Sequence, residues 1–305
     1  MYLGAHLGIA GGLGEAVREA RRIGAESLQI FSKSPQMWSG PALVPSAAEE
    51  FRAAVLSEGI RATAVHHGYL ANLASPKPEM LARSRAAFLD EVRRAEMLGV
   101  DGLIFHPGAH LGSGVDAGLG TIAESLRGAI AEVPDGRVPF LLENAAGQGT
   151  TLGATFEQLA TVLDAVGEPA RVGIALDTCH LFASGIDFRT EEGYGALVDR
   201  LEATFGCRRV RAFHLNDAKA ALGSHLDRHE NIGKGMIGRD GFRHLVSDRR
   251  WATVPGYLET PLDDRGYARY AEDLVTLRAL TAPARPAPAR RARRAARPRR
   301  ASTVK

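Results

Sequence analysis

The sequence predicts one (β/α)8 TIM barrel of the α/β class, and three observations carry that prediction. Short β-rich runs alternate with amphipathic helical patterns along the body of the chain, the signature of repeated βα units. Eight such runs can be counted. They are continuously apolar instead of alternating, as parallel strands are when helices cover one face and a packed interior fills the other. The 305 residues, 45% of them hydrophobic, are enough for one large core, and barrels commonly run past roughly two hundred residues as a single domain.

In chain order, YLGAH (2–6) is the first strand. EAVREARRI (15–23) follows as a helix, with apolar Ala16, Val17, Ala20 and Ile23 at helical spacing and charges between them. SLQIF (27–31) and ATAVH (62–66) are the second and third strands. The long amphipathic run EMLARSRAAFLDEVRRAEML (79–98) then leads into the fourth, GLIFH (102–106). PFLLEN (139–144) is the fifth strand, FEQLATVLDAV (156–166) the helix after it, and VGIALD (172–177), VRAFHL (210–215) and PGYLE (255–259) the last three strands. ARYAEDLVTLRAL (268–280) closes the final unit as a helix.

Composition excludes several classes. Two cysteines, Cys179 and Cys207, with no CxxC spacing, form neither a disulfide framework nor a thiolate zinc site, which fits a reducing cytoplasm. The start MYLGAHLGIAGGLGEAVREA has no cationic lead into its apolar residues and does not read as a signal peptide. No segment approaches the roughly 18 to 20 apolar residues that cross a bilayer. The formal charge of +3 averages two unlike parts. Residues 281–305, TAPARPAPARRARRAARPRRASTVK, carry eight Arg, one Lys and no acid, leaving 29 basic against 35 acidic residues, a body of about −6. With almost no large apolar side chains, this tail is expected to be disordered: a solubilising extension or a tether for nucleic acid. The division expected is thus a metal-dependent barrel over 1–280 and a basic tail over 281–305.

The strand ends carry the chemistry, because active sites of such barrels sit at the C-terminal ends of the strands. The third strand ends at His66, the fourth at His106, the fifth at Glu143, the sixth at Asp177 with His180 just beyond, the seventh at His214 and the eighth at Glu259. Past the seventh strand, HLNDAKAALGSHLDRHENIG adds Asp227 and His229. Each histidine alone is more simply a hydrogen-bonded structural residue. Together on one rim, these groups would place repelling carboxylates beside histidines unless cations neutralised them. Nine donors exceed what one ion takes and suit two or three, and an all-imidazole and carboxylate set favours zinc or manganese over magnesium. Adjacent divalent ions suit in-line displacement at phosphorus.

These residues also carry a resemblance. GAHLGIAGGL, HHGYLANLASP, FHPGAHLGSG, LLENAAGQGT, ALDTCHLFASGIDF, FHLNDAKAALGSHLDRHENIGKG and YLETP resemble, in order and across residues 1–280, the motifs of the endonuclease IV family of apurinic/apyrimidinic endonucleases. The resemblance implies three zinc ions, with manganese an alternative at one of them. His66 and His106 would hold the first, Asp177, His214 and Glu259 the second, with Glu143 bridging those two, and His180, Asp227 and His229 the third. It implies a hydroxide between the first two ions, instead of a side-chain base, attacking the phosphodiester 5′ to a base-less sugar in double-stranded DNA to leave a 3′-hydroxyl. It also implies damage recognition by bending the duplex and inserting side chains through the minor groove, with Tyr69 and Leu70 at two inserting positions. One departure stands out: the family commonly has an arginine where this chain has Gln36, so Gln36, Met37 or Trp38 fills the gap in the base stack or lesion affinity is weaker. Gly8 stands where a serine is common. A monomer in the bacterial cytoplasm, acting at the nucleoid, is expected.

The remaining signals are blander. His6, at the first strand's end, reads as orienting a ligand or phosphate, or as structural. His67, His110, His225 and His244 read as exposed or locally hydrogen-bonded, and Cys179 as a packed residue. Asp217 and Lys219 contact DNA or cap their loop. AGQGTTLG lacks the GK[ST] of a nucleotide loop and reads as a close backbone approach. Two other functions fit: a divalent-metal sugar isomerase or epimerase on the same barrel, for which His180, Asp227 and His229 are surplus, and a non-catalytic DNA-binding protein working through its tail.

Overall fold

The structure, a computed structural model, describes residues 1–281; residues 282–305 of the basic tail lie outside the described residues. All eight expected strands form: β1 (Tyr2–Leu7), β2 (Ser27–Ile30), β3 (Ala62–His66), β4 (Gly102–Phe105), β5 (Phe140–Glu143), β6 (Val172–Asp177) and β7 (Val210–His214), with the eighth, β10 (Pro255–Leu258), after a short ribbon. They close into a barrel in the order β1-β10-β7-β6-β5-β4-β3-β2, every pair parallel. The ribbon pairs β8 (Asp217–Ala218) antiparallel with β9 (His229–Glu230) and was not expected, because two-residue strands leave no periodicity to read.

Helices α1 (Leu13–Arg22), α2 (Pro45–Glu58), α3 (Pro78–Leu98), α4 (Val115–Glu132), α5 (Phe156–Val166), α6 (Thr178–Ala183), α7 (Glu191–Thr204), α8 (Gly238–Ser247) and α9 (Ala268–Thr281) follow the strands. Their boundaries are chemically marked. Pro45 and Pro78 open α2 and α3, where a missing N–H costs nothing, and the Thr155 and Thr190 hydroxyls accept N–H bonds at the starts of α5 and α7. Gly59, Gly99 and Gly167 end α2, α3 and α5 in the left-handed conformation.

The largest core lies between barrel and helices, where the rings of Phe105 and Phe140 meet Phe88 of α3 edge-on at 5.1 and 5.3 Å. Each such ring contributes roughly 1.5–3 kcal/mol by burial. The barrel interior holds a second cluster of Ala64, Ile104, Leu141, Ala175, Ala212 and Tyr257. That plug separates the C-terminal mouth from the N-terminal end of the barrel, where Arg61, Asp101 and Arg211 lie. No helix among the described residues is long and apolar enough to cross a membrane.

Candidate metal centre

Every barrel strand from β3 onward delivers one donor to the mouth. His66, Glu143, Asp177 and His214 are the last residues of β3, β5, β6 and β7, and His106 and Glu259 stand one residue past β4 and β10. Asp177 does two jobs: one carboxylate oxygen caps α6 by accepting the His180 N–H at 2.9 Å, which fixes His180, while the other faces the mouth. The loop between β8 and β9 brings Asp227, and β9 itself His229.

Glu143 is the hub. Its carboxylate lies 3.1 Å from His66 Nε2, 2.8 Å from His214 Nδ1, 3.4 Å from His180 Nδ1 and 3.7 Å from His106 Nδ1. His214 Nδ1 also faces Glu259 at 3.5 Å and Asp177 at 3.8 Å. On the outer side, Asp227 meets His180 Nε2 at 3.2 Å and His229 Nε2 at 3.1 Å. Five trios among the described residues have donor atoms all within 4.8 Å of one another: His66, His106 and Glu143; His66, His214 and Glu259; Glu143, Asp177 and His180; Asp177, Cys179 and His229; and His180, Asp227 and His229. All nine sequence candidates therefore meet on one rim, grading from fully buried His214 to Asp227 with 44% of its side chain exposed.

The histidine tautomers decide what this cluster accepts. His66 Nδ1 donates to the His67 carbonyl at 2.8 Å, His180 Nδ1 to that of Asn144 at 2.8 Å, and His229 Nδ1 to that of Glu259 at 3.1 Å. His214 is reversed: Nε2 donates to Gln29 Oε1 at 2.8 Å. In each ring the remaining nitrogen, with its lone pair, is aimed at carboxylate oxygens. Two acceptors repel unless a proton or a cation lies between them, and an imidazole held through its other nitrogen is the usual form of a metal ligand. The donors thus fit divalent ions.

Electrostatics agree. Burial works against ionisation of His214, but Glu143 and Glu259 override it and push its pKa up to about 10; for His229, Asp177 and Asp227 overcome burial to give about 9. Burial likewise opposes ionisation of Glu143, and His214 and His106 outweigh it, holding the carboxyl well below its usual range. In the metal-free chain, protons on His214 and His229 therefore stand in for cations, whereas burial lowers the pKa of His106. A raised folded pKa gives stability that is complete below the ordinary 6.5 and lost as pH climbs through about 9 to 10. The melting temperature of chelator-treated protein is thus expected to fall between about pH 7 and 10, and that of zinc-loaded protein to stay flatter, because bound ions displace those protons. Parallel melting curves would contradict this.

Three orienting residues escaped the sequence reading. Gln29, fully buried in β2, sets the His214 tautomer and donates to Glu259 Oε1 at 2.7 Å. Asn144 Oδ1 accepts the Asp177 N–H at 2.6 Å, and Asn216 donates to Asp177 Oδ2 at 2.7 Å while accepting the Glu259 N–H at 2.9 Å. The signal was a polar residue inside or just past an apolar strand. His6 lies 2.9 Å from Glu259 Oε1, so its side chain touches a candidate ligand. His67 is buried and hydrogen-bonds locally to the Gly68 carbonyl; exposed His225 reaches the distant Ala146 carbonyl. Cys179 is buried with Sγ 3.6 Å from the Arg228 carbonyl and within 4.8 Å of Asp177 and His229 donor atoms, and burial raises its pKa far above the usual value. In AGQGTTLG, a side chain at Gly153 would meet Pro107 Cγ at 2.9 Å and the Glu143 carbonyl at 3.4 Å, the close approach expected.

The residues compared with inserting positions stand on the rim. Tyr69 and Leu70 are 63% and 41% exposed, Tyr69 edge-on to Phe31 at 5.5 Å. Gln36 and Met37 are exposed on the β2–α2 loop, which touches the Tyr69 loop where Gly68 packs against Pro35. Trp38 is committed elsewhere, its ring 4.3 Å from the Arg83 guanidinium.

Comparison with known proteins decides the family. A family described as xylose isomerase-like TIM barrel matches residues 17–280. A probable endonuclease 4 from Chloroflexus aurantiacus is 42% identical over 281 residues, 92% of this chain and 98% of that protein. The chain belongs to the endonuclease IV family. It is therefore grouped with the nuclease hydrolases, and the crystal structure of endonuclease IV from Thermus thermophilus superposes with a TM-score of 0.80 at 34% identity, covering 92% of this chain and 98% of that one. A 3-keto-D-glucoside 4-epimerase from E. coli, 16% identical with a TM-score of 0.64, shares the barrel alone.

Proposed function

We propose that the chain is a zinc-dependent apurinic/apyrimidinic endonuclease of base excision DNA repair, hydrolysing the phosphodiester 5′ to an abasic site and leaving a 3′-hydroxyl. The observation that carries the reading is the closure of nine nitrogen and oxygen donors into linked trios around Glu143, on a chain of the endonuclease IV family. His66, His106 and Glu143 would hold one ion, Asp177, His214 and Glu259 with Glu143 a second, and His180, Asp227 and His229 a third. Zinc fits the imidazole and carboxylate set, and manganese is the alternative at one position. Such ions supply Lewis acidity and a water that ionises near neutral pH.

The chain's own residues do the rest. Glu143, held as an anion, is a poor proton acceptor and serves to concentrate positive charge at the mouth. Gln29, Asn144, Asn216 and His6 fix ligand orientation, which keeps the donors preorganised for a phosphodiester. Tyr69 and Leu70, exposed beside that mouth, are placed to enter a distorted minor groove, with Gln36 and Met37 on the adjoining loop. We read the working form as a monomer of the bacterial cytoplasm. The test is elemental analysis beside an assay on a duplex with one abasic site. Cleavage that disappears on prolonged chelation and returns with zinc is expected; stoichiometric metal with an uncut duplex refutes the proposal.

The basic tail enters as a sequence-blind tether. Removing residues 281–305 is expected to lower the salt dependence of duplex binding, by up to about 0.9 in logarithmic slope for each of its nine cationic side chains that meets a phosphate. Cleavage at saturating DNA should barely change. An unaltered slope, measured by titration at several salt concentrations, would dismiss the tether.

A further inference from the structure

Asp217 carries no donor to the rim, yet the loop that supplies Asp227 and His229 is built around it. Its side chain is fully buried, and its hydrogen-bond partners among the described residues include no charged side chain. Its partners are backbone N–H groups. Oδ1 accepts from Ala218 at 2.8 Å and Ile237 at 2.9 Å; Oδ2 accepts from Gly233 at 2.9 Å and Gly235 at 3.0 Å; Gly238 reaches both at 3.3–3.4 Å. Four amides of NIGKGMIG (231–238) and that of Ala218 thus converge on one carboxylate, and such charge-assisted bonds are roughly twice as strong as neutral ones.

The same residue begins β8, which pairs with β9: Asp217 lies opposite Glu230, and Ala218 opposite His229. The ribbon is only two residues per strand, too short to hold itself. The return of residues 231–238 onto the Asp217 carboxylate is one of the ties that fix β9 against the mouth, beside the His229 Nδ1 bond to the Glu259 carbonyl and the bonds of Asn231 and Ile232 to Asp273. Gly235 shows how tight the closure is, since a Cβ there would stand 2.5 Å from both the Ala218 carbonyl and Asp217 Oδ1.

We infer that Asp217 is a positioning residue for the third metal site, acting through backbone amides to hold Asp227 and His229 against His180. This deepens the proposed function and rests on its three-ion reading. Asn at 217 is no substitute, because its NH2 would oppose two of the N–H donors. Asp217→Asn is expected to weaken the third site about 10- to 100-fold, as loss of an orienting partner typically does. At a chelator concentration that strips nothing from the native protein, the variant should retain two zinc ions where the native protein retains three, read by elemental analysis with circular dichroism checking the barrel. Gly235→Ala attacks the same closure from the other side and should also retain two. If Asp217→Asn fails to fold, Gly235→Ala alone decides. Three ions retained by the folded variants, or depletion spread evenly over all sites, overturns the inference. A native protein that never holds three ions would instead overturn the functional reading on which it rests.

Discussion

Glu143→Gln is expected to lower abasic-site cleavage at saturating DNA by at least about 10³-fold, roughly 4 kcal/mol of transition-state stabilisation. The substitution keeps the shape of the side chain and changes its charge at the one position that touches four histidines, His66, His106, His180 and His214. Two effects add. The four rim carboxylates, Glu143, Asp177, Asp227 and Glu259, would offset the three divalent ions proposed to about +2, and removing one would raise the electrostatic cost of holding the ions together. In addition, a Gln amide presents an NH2 group where one of the two oxygens lay. Those donors would satisfy the His66 Nε2 or His214 Nδ1 lone pair by hydrogen bonding, in direct competition with a metal. Metal content should fall with the rate, and added zinc should restore neither fully. Single-turnover cleavage within tenfold of the native rate, at full metal content, would show that Glu143 is not the hub of the chemistry.

The same residues show how much of this was legible in the sequence. Glu143 could be found because PFLLEN is a continuous apolar run that ends in an acid, and the parallel-barrel rule places every such end on one rim. Six of the nine donors, His66, His106, Glu143, Asp177, His214 and Glu259, follow from that one regularity, whereas His180, Asp227 and His229 stand beyond strand ends and were found as histidines and acids close together in TCH and DRH. Gln29 was invisible to it, although it is as buried as any ligand, because it lies inside SLQIF and a single interior amide has no spacing to give it away. Its role exists only across strands: β2 reaches His214 through the barrel interior, a contact between residues 185 positions apart. Asp217 was seen as polar, and the choice between contacting DNA and capping a loop could not be made, since the five amides that settle it come from residues up to 21 positions away. Local pattern located the donors; what orients them depends on closure, which no local pattern encodes.

His229→Ala separates the endonuclease reading from a sugar isomerase or epimerase on the same barrel. It is expected to lower cleavage about 10²- to 10³-fold, roughly 3–4 kcal/mol. His229 offers Nε2 to Asp227 at 3.1 Å and to Asp177 at 3.7 Å, and anchors itself by donating Nδ1 to the Glu259 carbonyl. Alanine removes a nitrogen ligand and leaves Asp227 facing His180 alone at 3.2 Å, a pair too small to retain an ion that ordinarily takes four ligands. If His229 and Asp227 act through one ion, their losses cannot add. The double substitution His229→Ala with Asp227→Ala should then cost about as much as the worse single one, whereas independent contributions would multiply. An epimerase using one or two ions at Glu143 has no use for either residue and would turn over unchanged in both. Kinetics of the two single variants and the double variant on an abasic duplex, with zinc counted in each, distinguish the cases: a multiplied loss with all metal retained removes the third ion from the mechanism, and a saturated loss with one ion missing places it there.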